Sequence, residues 1–307
     1  MPYIFKDFVL KEPIKAWAFL TRELGFSMRE AQRTIDRKQL LQNGLAVKRK
    51  SDMIEGAVTL LAYEPRPRGL LPICENDFFA VFDKPSGVLA HPRDRATEYS
   101  LNDEIKYLYG KNANIVHRLD KETSGLLMVS KNKNEERGLK KLFEDKNVRK
   151  EYVALVNGEL KEPMVIDAPI MVNSNYDEIK LKVCIDARGK KAVTEIFPMK
   201  YFKNLNATLI KAVPKSGRQH QIRAHLFHVE HSIMGDPIYG VDTKTAAMYL
   251  DGEMSKKSRI NLTGASRVLL HAYKLEFDYK ETAYSFKSAV DIETEFINAT
   301  LPPPICI

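Results

Sequence analysis

Residues 116–130 read Val116-His117-Arg118-Leu119-Asp120-Lys121-Glu122-Thr123-Ser124-Gly125-Leu126-Leu127-Met128-Val129-Ser130. A turn dense in charge runs into a short apolar stretch, and Gly125–Ser130 therefore reads as a buried strand entered through a polar loop. Upstream, Asp77–Lys84 reads as a strand that ends in a Pro85-Ser86-Gly87 turn. Downstream, Asn134–Phe143 has helical spacing with Leu139, Leu142 and Phe143 inward, and Glu151–Val156 is a strand that turns at Asn157-Gly158. Val193–Phe197 and Ala207–Ala212 read as a strand pair, and Gln221–His231 as a helix with Ile222, Leu226 and Val229 on one side. Strands and helices alternate too irregularly for parallel βαβ units. The expectation is an α+β fold on a mixed, largely antiparallel sheet.

The amino-terminal part reads differently. Residues 3–10 alternate as a short strand, and Ile14, Trp17, Ala18, Leu20, Thr21 and Leu24 recur at helical spacing before Gly25. Ser27-Met28-Arg29-Glu30 has the S-x-x-E form of a capping box, opening a helix with Ala31, Thr34, Ile35 and Leu40 on one face and Arg29, Arg33 and Arg37 on another. Asn43-Gly44 is a turn into a strand, and Glu55-Gly56 reads as a turn into the next. Residues 64–72 hold three prolines and a glycine, the composition of a linker.

At 307 residues the chain has room for about two domains. Its 44% apolar and 29% charged residues are those of a globular protein with a sizeable core. No run approaches the roughly 18 apolar residues of a spanning helix, and Met1–Asp7 lacks the basic-then-apolar pattern of a secretory signal. Cys74, Cys184 and Cys306 are too few and scattered for a disulfide framework or a CxxC zinc site. A cytoplasmic protein with no membrane partner is expected. The net charge of +8 is concentrated: residues 31–50 contain Arg33, Arg37, Lys38, Lys48, Arg49 and Lys50 against the single acid Asp36. Such a surface suits a polyanion, and with Arg29 these residues are the candidate RNA contacts.

Four clusters concentrate polar residues beside strands and turns. Asp83–Pro92 is a bent, proline-braced loop that suits either a site edge or a rigid hairpin. In 116–127, Asp120 beside Arg118 is either a carboxylate aimed at a ligand or a turn cap neutralised by its neighbour. Tyr152, in Lys150–Val156, is either core packing or part of a site. Lys215–Leu226 places Gly217 and polar residues ahead of a helix, an arrangement able to meet an anion, and leads on to Gly235-Asp236-Pro237-Ile238-Tyr239-Gly240.

Taken together, DKPSGVLAHP (83–92), HRLDKETSGLL (117–127), KEYVALVNGEL (150–160), SGRQHQIRAHL (216–226), GDPIYG (235–240) and Arg267–Ala272 stand in the order seen in the RluA-type pseudouridine synthases, which residues 77–278 resemble. Residues 12–63 resemble the alpha-L type RNA-binding domain of a small-subunit ribosomal protein. The resemblance implies an RNA-binding domain at 1–63, a linker at 64–72 and a catalytic domain at 73–307. It also implies isomerisation of uridine to pseudouridine in RNA by a monomer without metal or cofactor, with ribosomal RNA favoured and transfer RNA the alternative. Residue by residue, Asp120 matches the family's catalytic carboxylate, Arg118 the arginine that flips the target, Tyr152 the stacking tyrosine and Arg223 the partner of the carboxylate. Leu127 falls to the apolar wall around the base, and His117, Lys84 and His91 to the pocket rim or RNA. Two rivals remain: a metal-dependent hydrolase using His225, His228 and His231, which lacks an HExxH, and a non-catalytic RNA-binding protein, against which intact Asp120, Tyr152 and Arg223 weigh.

Overall fold

A computed structural model describes residues 2–172 and 182–300. It divides into two compact units, Met1–Arg68 with Pro92–Tyr99, and Gly69–His91 with Ser100–Ile307.

In the first unit, strand β1 (Tyr3–Lys15) is followed by helix α1 (Ala16–Ala18), which continues as a π-helical turn over Phe19–Glu23. The helix expected from Ile14 thus starts two residues later, because Ile14 still pairs in a sheet with Ile54. Helix α2 (Met28–Asp36) opens with the expected capping box: Glu30 N–H donates to Ser27 Oγ, and Ser27 N–H donates to Glu30 Oε2 at 2.8 Å. Strands β2 (Leu40–Gln42), β3 (Leu45–Ala46) and β4 (Met53–Tyr63) complete an antiparallel sheet ordered β1-β4-β2-β3. Asn43 and Gly44 both take positive φ, 51° and 77°, as a two-residue hairpin of this hand requires. Two expectations are corrected. Leu40 belongs to β2 rather than to the α2 face, although it stays in the core with Phe19, Ile35 and Ile54. Glu55-Gly56 is no turn: it lies inside β4, where Gly56 at φ 66° accompanies a shift in the β1–β4 register.

The second unit is built on a ten-stranded sheet. Strands β5 (Cys74–Glu75) and β6 (Phe79–Lys84) lead to helix α3 (Leu101–Tyr109), then β7 (Asn114–Ile115), β8 (Ser124–Ser130), helix α4 (Lys133–Glu144) and β9 (Val148–Asn157). After β10 (Met164–Asp167), strands β11 (Ile170–Val172) and β12 (Val183–Ile185) form a separate two-stranded ribbon. Strands β13 (Val193–Phe202) and β14 (Ala207–Pro214) precede helices α5 (Gln221–His228), α6 (Thr243–Leu250) and α7 (Lys256–Thr263). Strands β15 (Leu270–Tyr279) and β16 (Thr282–Lys287) and helix α8 (Ile292–Thr300) follow. The main sheet runs β10-β13-β14-β9-β15-β8-β6-β5, with β16 on β15 and β7 on β8. Every pairing is antiparallel except β15–β8, which is confined to His271–Ser124 and Ala272–Gly125. The fold is α+β with a largely antiparallel sheet.

Strand β8 reads as unbroken apolar sequence because both its faces are covered; all seven residues are buried. Leu127 and Val129 face Ala80, Phe82 and the α3 residues Leu101 and Ile105, while Leu126 and Met128 face Phe79, Val81 and Leu139 of α4. A rigid strand therefore stands directly behind the loop that carries Asp120. Cys74 and Cys184 are exposed free thiols, and Cys306 lies outside the described residues. No helix among the described residues is long and apolar enough to cross a membrane.

Candidate active site

The loop entering β8, the α4 side chain Phe143, Lys150 and Tyr152 of β9, Pro214 ending β14, the 216–220 loop and the first turn of α5 enclose a cleft of about 610 Å³. Its acids are Asp120 and Glu144, set among Arg118, Lys140, Lys146, Lys150, Arg218 and Arg223. Six cations against two acids make the site cationic, which suits a phosphate-bearing ligand.

Arg223 organises the cleft. Its Nε and Nη2 donate to Asp236 Oδ2 and Oδ1 at 2.7 and 2.9 Å, a bidentate pair, and its Nη1 reaches Asp120 Oδ2 at 3.3 Å. Asp236 is fully buried and also accepts the Ile238 and Tyr239 N–H groups at 2.9 and 3.0 Å. Arg223 and these donors hold its carboxyl below the usual range despite burial. Asp120 keeps 24% of its side chain exposed, and Arg223 and His220 both approach it at Oδ2. Among the described residues no hydrogen bond or ion pair is made to Oδ1. Tyr152 is half-buried in the cleft wall; burial first, and then the charge of Asp120, push its phenol pKa up, so the hydroxyl stays protonated. Arg118 is exposed along the cleft and has no acidic partner among the described residues.

The Asp120 loop is fastened from behind. Glu122 accepts from Arg259 Nη2 at 2.8 Å and Tyr249 Oη at 2.9 Å, and Arg259 also donates to the Gly235 carbonyl at 2.8 Å. The Asp83–Gly87 segment clamps the same loop: Ser86 Oγ donates to the Glu122 carbonyl at 2.6 Å, and Gly87 N–H to the Lys121 carbonyl at 2.9 Å.

Two expected placements, Lys84 and Leu127, are corrected, and those of His117 and His91 are refined. Lys84 is fully buried, and Nζ donates to the carbonyls of Pro85, Val88 and Lys121 at 2.9, 2.8 and 3.1 Å, so its three protons are spent inside the protein. Burial pushes its pKa down to about 7, against the charges of Asp120 and Glu122 and the three carbonyls, which favour the ammonium. His117 borders the cleft but accepts the Met128 N–H at Nε2 (2.9 Å) and stacks on Phe143, and burial holds its pKa near 3; it is a neutral brace. Leu127 is buried in the sheet core, where Tyr152 packs against its cluster, so it backs the wall rather than forming it; Val116, Leu119, Ile222 and Leu270 line the cleft instead. His91 is exposed and does not itself line the cleft, although the cleft residues Arg118 and Lys140 are, after burial, among the charges that lower its pKa.

Asp120, Tyr152, Arg118 and Arg223 do come together. The sequence assigns no role to Asp236, Tyr239 or His220, although GDPIYG and the SGRQHQIR string contain them; Asp236 shows its part only once folding brings it to Arg223. Two of the three histidines of the hydrolase rival serve the scaffold: His225 is buried with Nδ1 on Thr194 Oγ1 and Nε2 on the Ala168 carbonyl, each at 2.9 Å, and His231 Nδ1 meets the Asn157 carbonyl, while His228 is exposed. Among the described residues no three His, Cys, Asp or Glu side chains gather as metal ligands would.

The family model described as RNA pseudouridylate synthase matches residues 78–228, which hold Asp120, Tyr152 and Arg223. A Helicobacter pylori chain (strain ATCC 700392 / 26695) described as an uncharacterised RNA pseudouridine synthase is 38% identical over 94% of each chain. This chain belongs to the RNA pseudouridine synthase family. Among its relatives, the ribosomal large subunit pseudouridine synthase C of Buchnera aphidicola subsp. Baizongia pistaciae is 34% identical over 66% of this chain and 61% of its own length. In structure, human RNA Pseudouridylate Synthase Domain Containing 1 superposes with a TM-score of 0.57 over 74% of this chain and 86% of that one, at 22% identity, which speaks to the fold.

Proposed function

We propose that this synthase converts selected uridines of large-subunit ribosomal RNA to pseudouridine, with Asp120 as its catalytic carboxylate. The observation that carries the reading is Asp120 itself: an anion half-enclosed in a cationic cleft, held at Oδ2 by Arg223 and with Oδ1 unengaged among the described residues. The reaction breaks the N1–C1′ bond, turns the uracil, forms a C5–C1′ bond, releases the C5 proton and returns a proton to N1. Attack on ribose, addition to the base and a glycal-like route all draw on one such carboxylate as nucleophile or base.

The neighbours take roles that match their chemistry. The Tyr152 ring supplies a face for the uracil to stack on, and its protonated hydroxyl a hydrogen-bond donor. Arg118 holds the phosphate of the extruded nucleotide, offsetting the few kcal/mol that unstacking costs. The first unit serves as an RNA-binding domain. Arg29, Arg33, Arg37, Lys38, Lys48, Arg49 and Lys50 are all exposed there, and none pairs with an acid among the described residues.

Ribosomal RNA is favoured because the C-type relative carries that substrate in its name. Mapping pseudouridines in the RNA of cells with and without the gene tests this directly. The reading predicts that sites in large-subunit ribosomal RNA disappear; loss confined to transfer RNA would overturn the substrate while leaving the chemistry.

A further inference from the structure

His220 immediately precedes α5 and sits at φ 50°, in the left-handed region where Asn, Asp and His are the side chains most at ease. Only 10% of its side chain is exposed, and its ring spans two groups. Nδ1 lies 3.1 Å from Tyr239 Oη, and Nε2 lies 3.7 Å from Asp120 Oδ2. Tyr239 is buried and its Oη accepts the Val183 N–H at 2.9 Å, so donation of its own proton to His220 Nδ1 is the arrangement that leaves no hydroxyl proton unpaired. That bond assigns the remaining proton of a neutral imidazole to Nε2, on the side of Asp120. Burial and the adjacent Arg223 push the His220 pKa down to about 4, so the ring is neutral at pH 7. The 3.7 Å separation is longer than a hydrogen bond, and contacts of this kind shorten when a substrate closes the site.

We propose that His220 is a positioning residue for the isomerisation: its Nε2–H and Arg223 Nη1 together hold Asp120 by Oδ2, which turns Oδ1 toward the uridine. Tyr239 acts one step further back, by holding the imidazole in the productive tautomer. The inference rests on the reading of Asp120 as the catalytic carboxylate. It adds that the aim of that carboxylate depends on a neutral donor as well as on a cation.

The test uses the full chain and bulk RNA labelled with [5-³H]uridine in cells lacking the gene, following tritium release at varied RNA concentration. His220→Gln retains an N–H donor of similar reach, whereas His220→Asn suits the left-handed backbone but is too short to reach Asp120. The expectation is that His220→Ala and His220→Asn lower kcat by about 10- to 100-fold with KM changed less than about twofold, the scale of a misaimed catalytic group. His220→Gln should recover most of the loss despite its backbone strain. Tyr239→Phe, which leaves the backbone at 220 untouched, should also lower kcat and covers the case in which a 220 variant melts early. Rescue by Asn rather than Gln would assign His220 to the backbone turn alone, and a raised KM with unchanged kcat would make it an RNA contact; either overturns the proposal, as do parent rates throughout. Asp120→Asn in the same assay separates the two readings: if it retains activity, the carboxylate assignment fails, whereas an inactive Asp120→Asn beside fully active His220 and Tyr239 variants sinks this proposal alone.

Discussion

Arg223 divides one guanidinium between a buried acid and a cleft-facing one, so the site's organisation depends on Asp236 as much as on Asp120. Replacing Asp236 by Asn leaves a cation with 4% side-chain exposure without its bidentate partner, a loss of about 3–5 kcal/mol in urea unfolding at pH 7. The pH dependence has a defined sign. The Asp236 carboxyl is lowered from 3.8 in the folded protein, so its contribution is complete above that value and is lost as pH falls through the folded pKa. The stability gap between parent and Asp236→Asn should therefore narrow below about pH 4; a gap constant from pH 7 to pH 3 would show that the pair does not carry the difference. At this scale Asp120, Tyr152 and Arg223 each have a structural alternative taken singly; the order of the motifs singles them out, and folding does bring the three to one cleft. The sequence misled where orientation decides: a lysine or histidine beside a site motif reads as a ligand contact, yet Lys84 and His117 are spent on backbone groups brought close by folding.

Strand β8 must follow the Asp120 loop without a gap, and Gly125 makes that close approach to β15 possible. Its φ is 107°, and a Cβ added there would lie 2.3 Å from the Ala272 carbonyl oxygen and 2.5 Å from its nitrogen. Backbone atoms cannot move aside as a flexible side chain would. Gly125→Ala should cost about 3 kcal/mol or more and displace the Asp120 loop, so both melting temperature and activity fall. A Gly125→Ala protein that melts with the parent would mean that the strands can part locally at little cost. Elements with local signals were readable: the Ser27–Glu30 capping box, the Asn43-Gly44 hairpin and the apolar β8 all form as their sequences specify. Elements set by distant partners were not. The glycine that reads as a turn at 55–56 stays within a strand because β1 supplies partners on both sides of Glu55, and Ile14 is drawn into that same sheet and out of the helix.

Across the whole molecule, the net charge of +8 and the seven exposed cations proposed as RNA contacts predict an RNA affinity that comes largely from phosphates. The first unit also includes Pro92–Tyr99, a return segment that composition alone did not show, so point substitutions test it better than a truncation. Changing Arg29, Arg33, Lys48 and Arg49 to Gln in the full chain should flatten the salt dependence of RNA binding, with turnover of bound RNA retained. The slope should fall by about 0.7–0.9 log units per decade of salt for each phosphate that is no longer neutralised. An unchanged slope would place the RNA elsewhere. The central claim, that one carboxylate performs the isomerisation while other residues bind the RNA, is tested most directly by Asp120→Asn. Asn keeps the shape of Asp but supplies neither a negative charge nor a nucleophilic oxygen, and Arg223 retains Asp236, so the fold should survive. Tritium release from [5-³H]uridine-labelled RNA should fall below detection while RNA affinity and melting temperature stay close to the parent's. A folded Asp120→Asn protein that releases tritium near the parent rate would contradict the account.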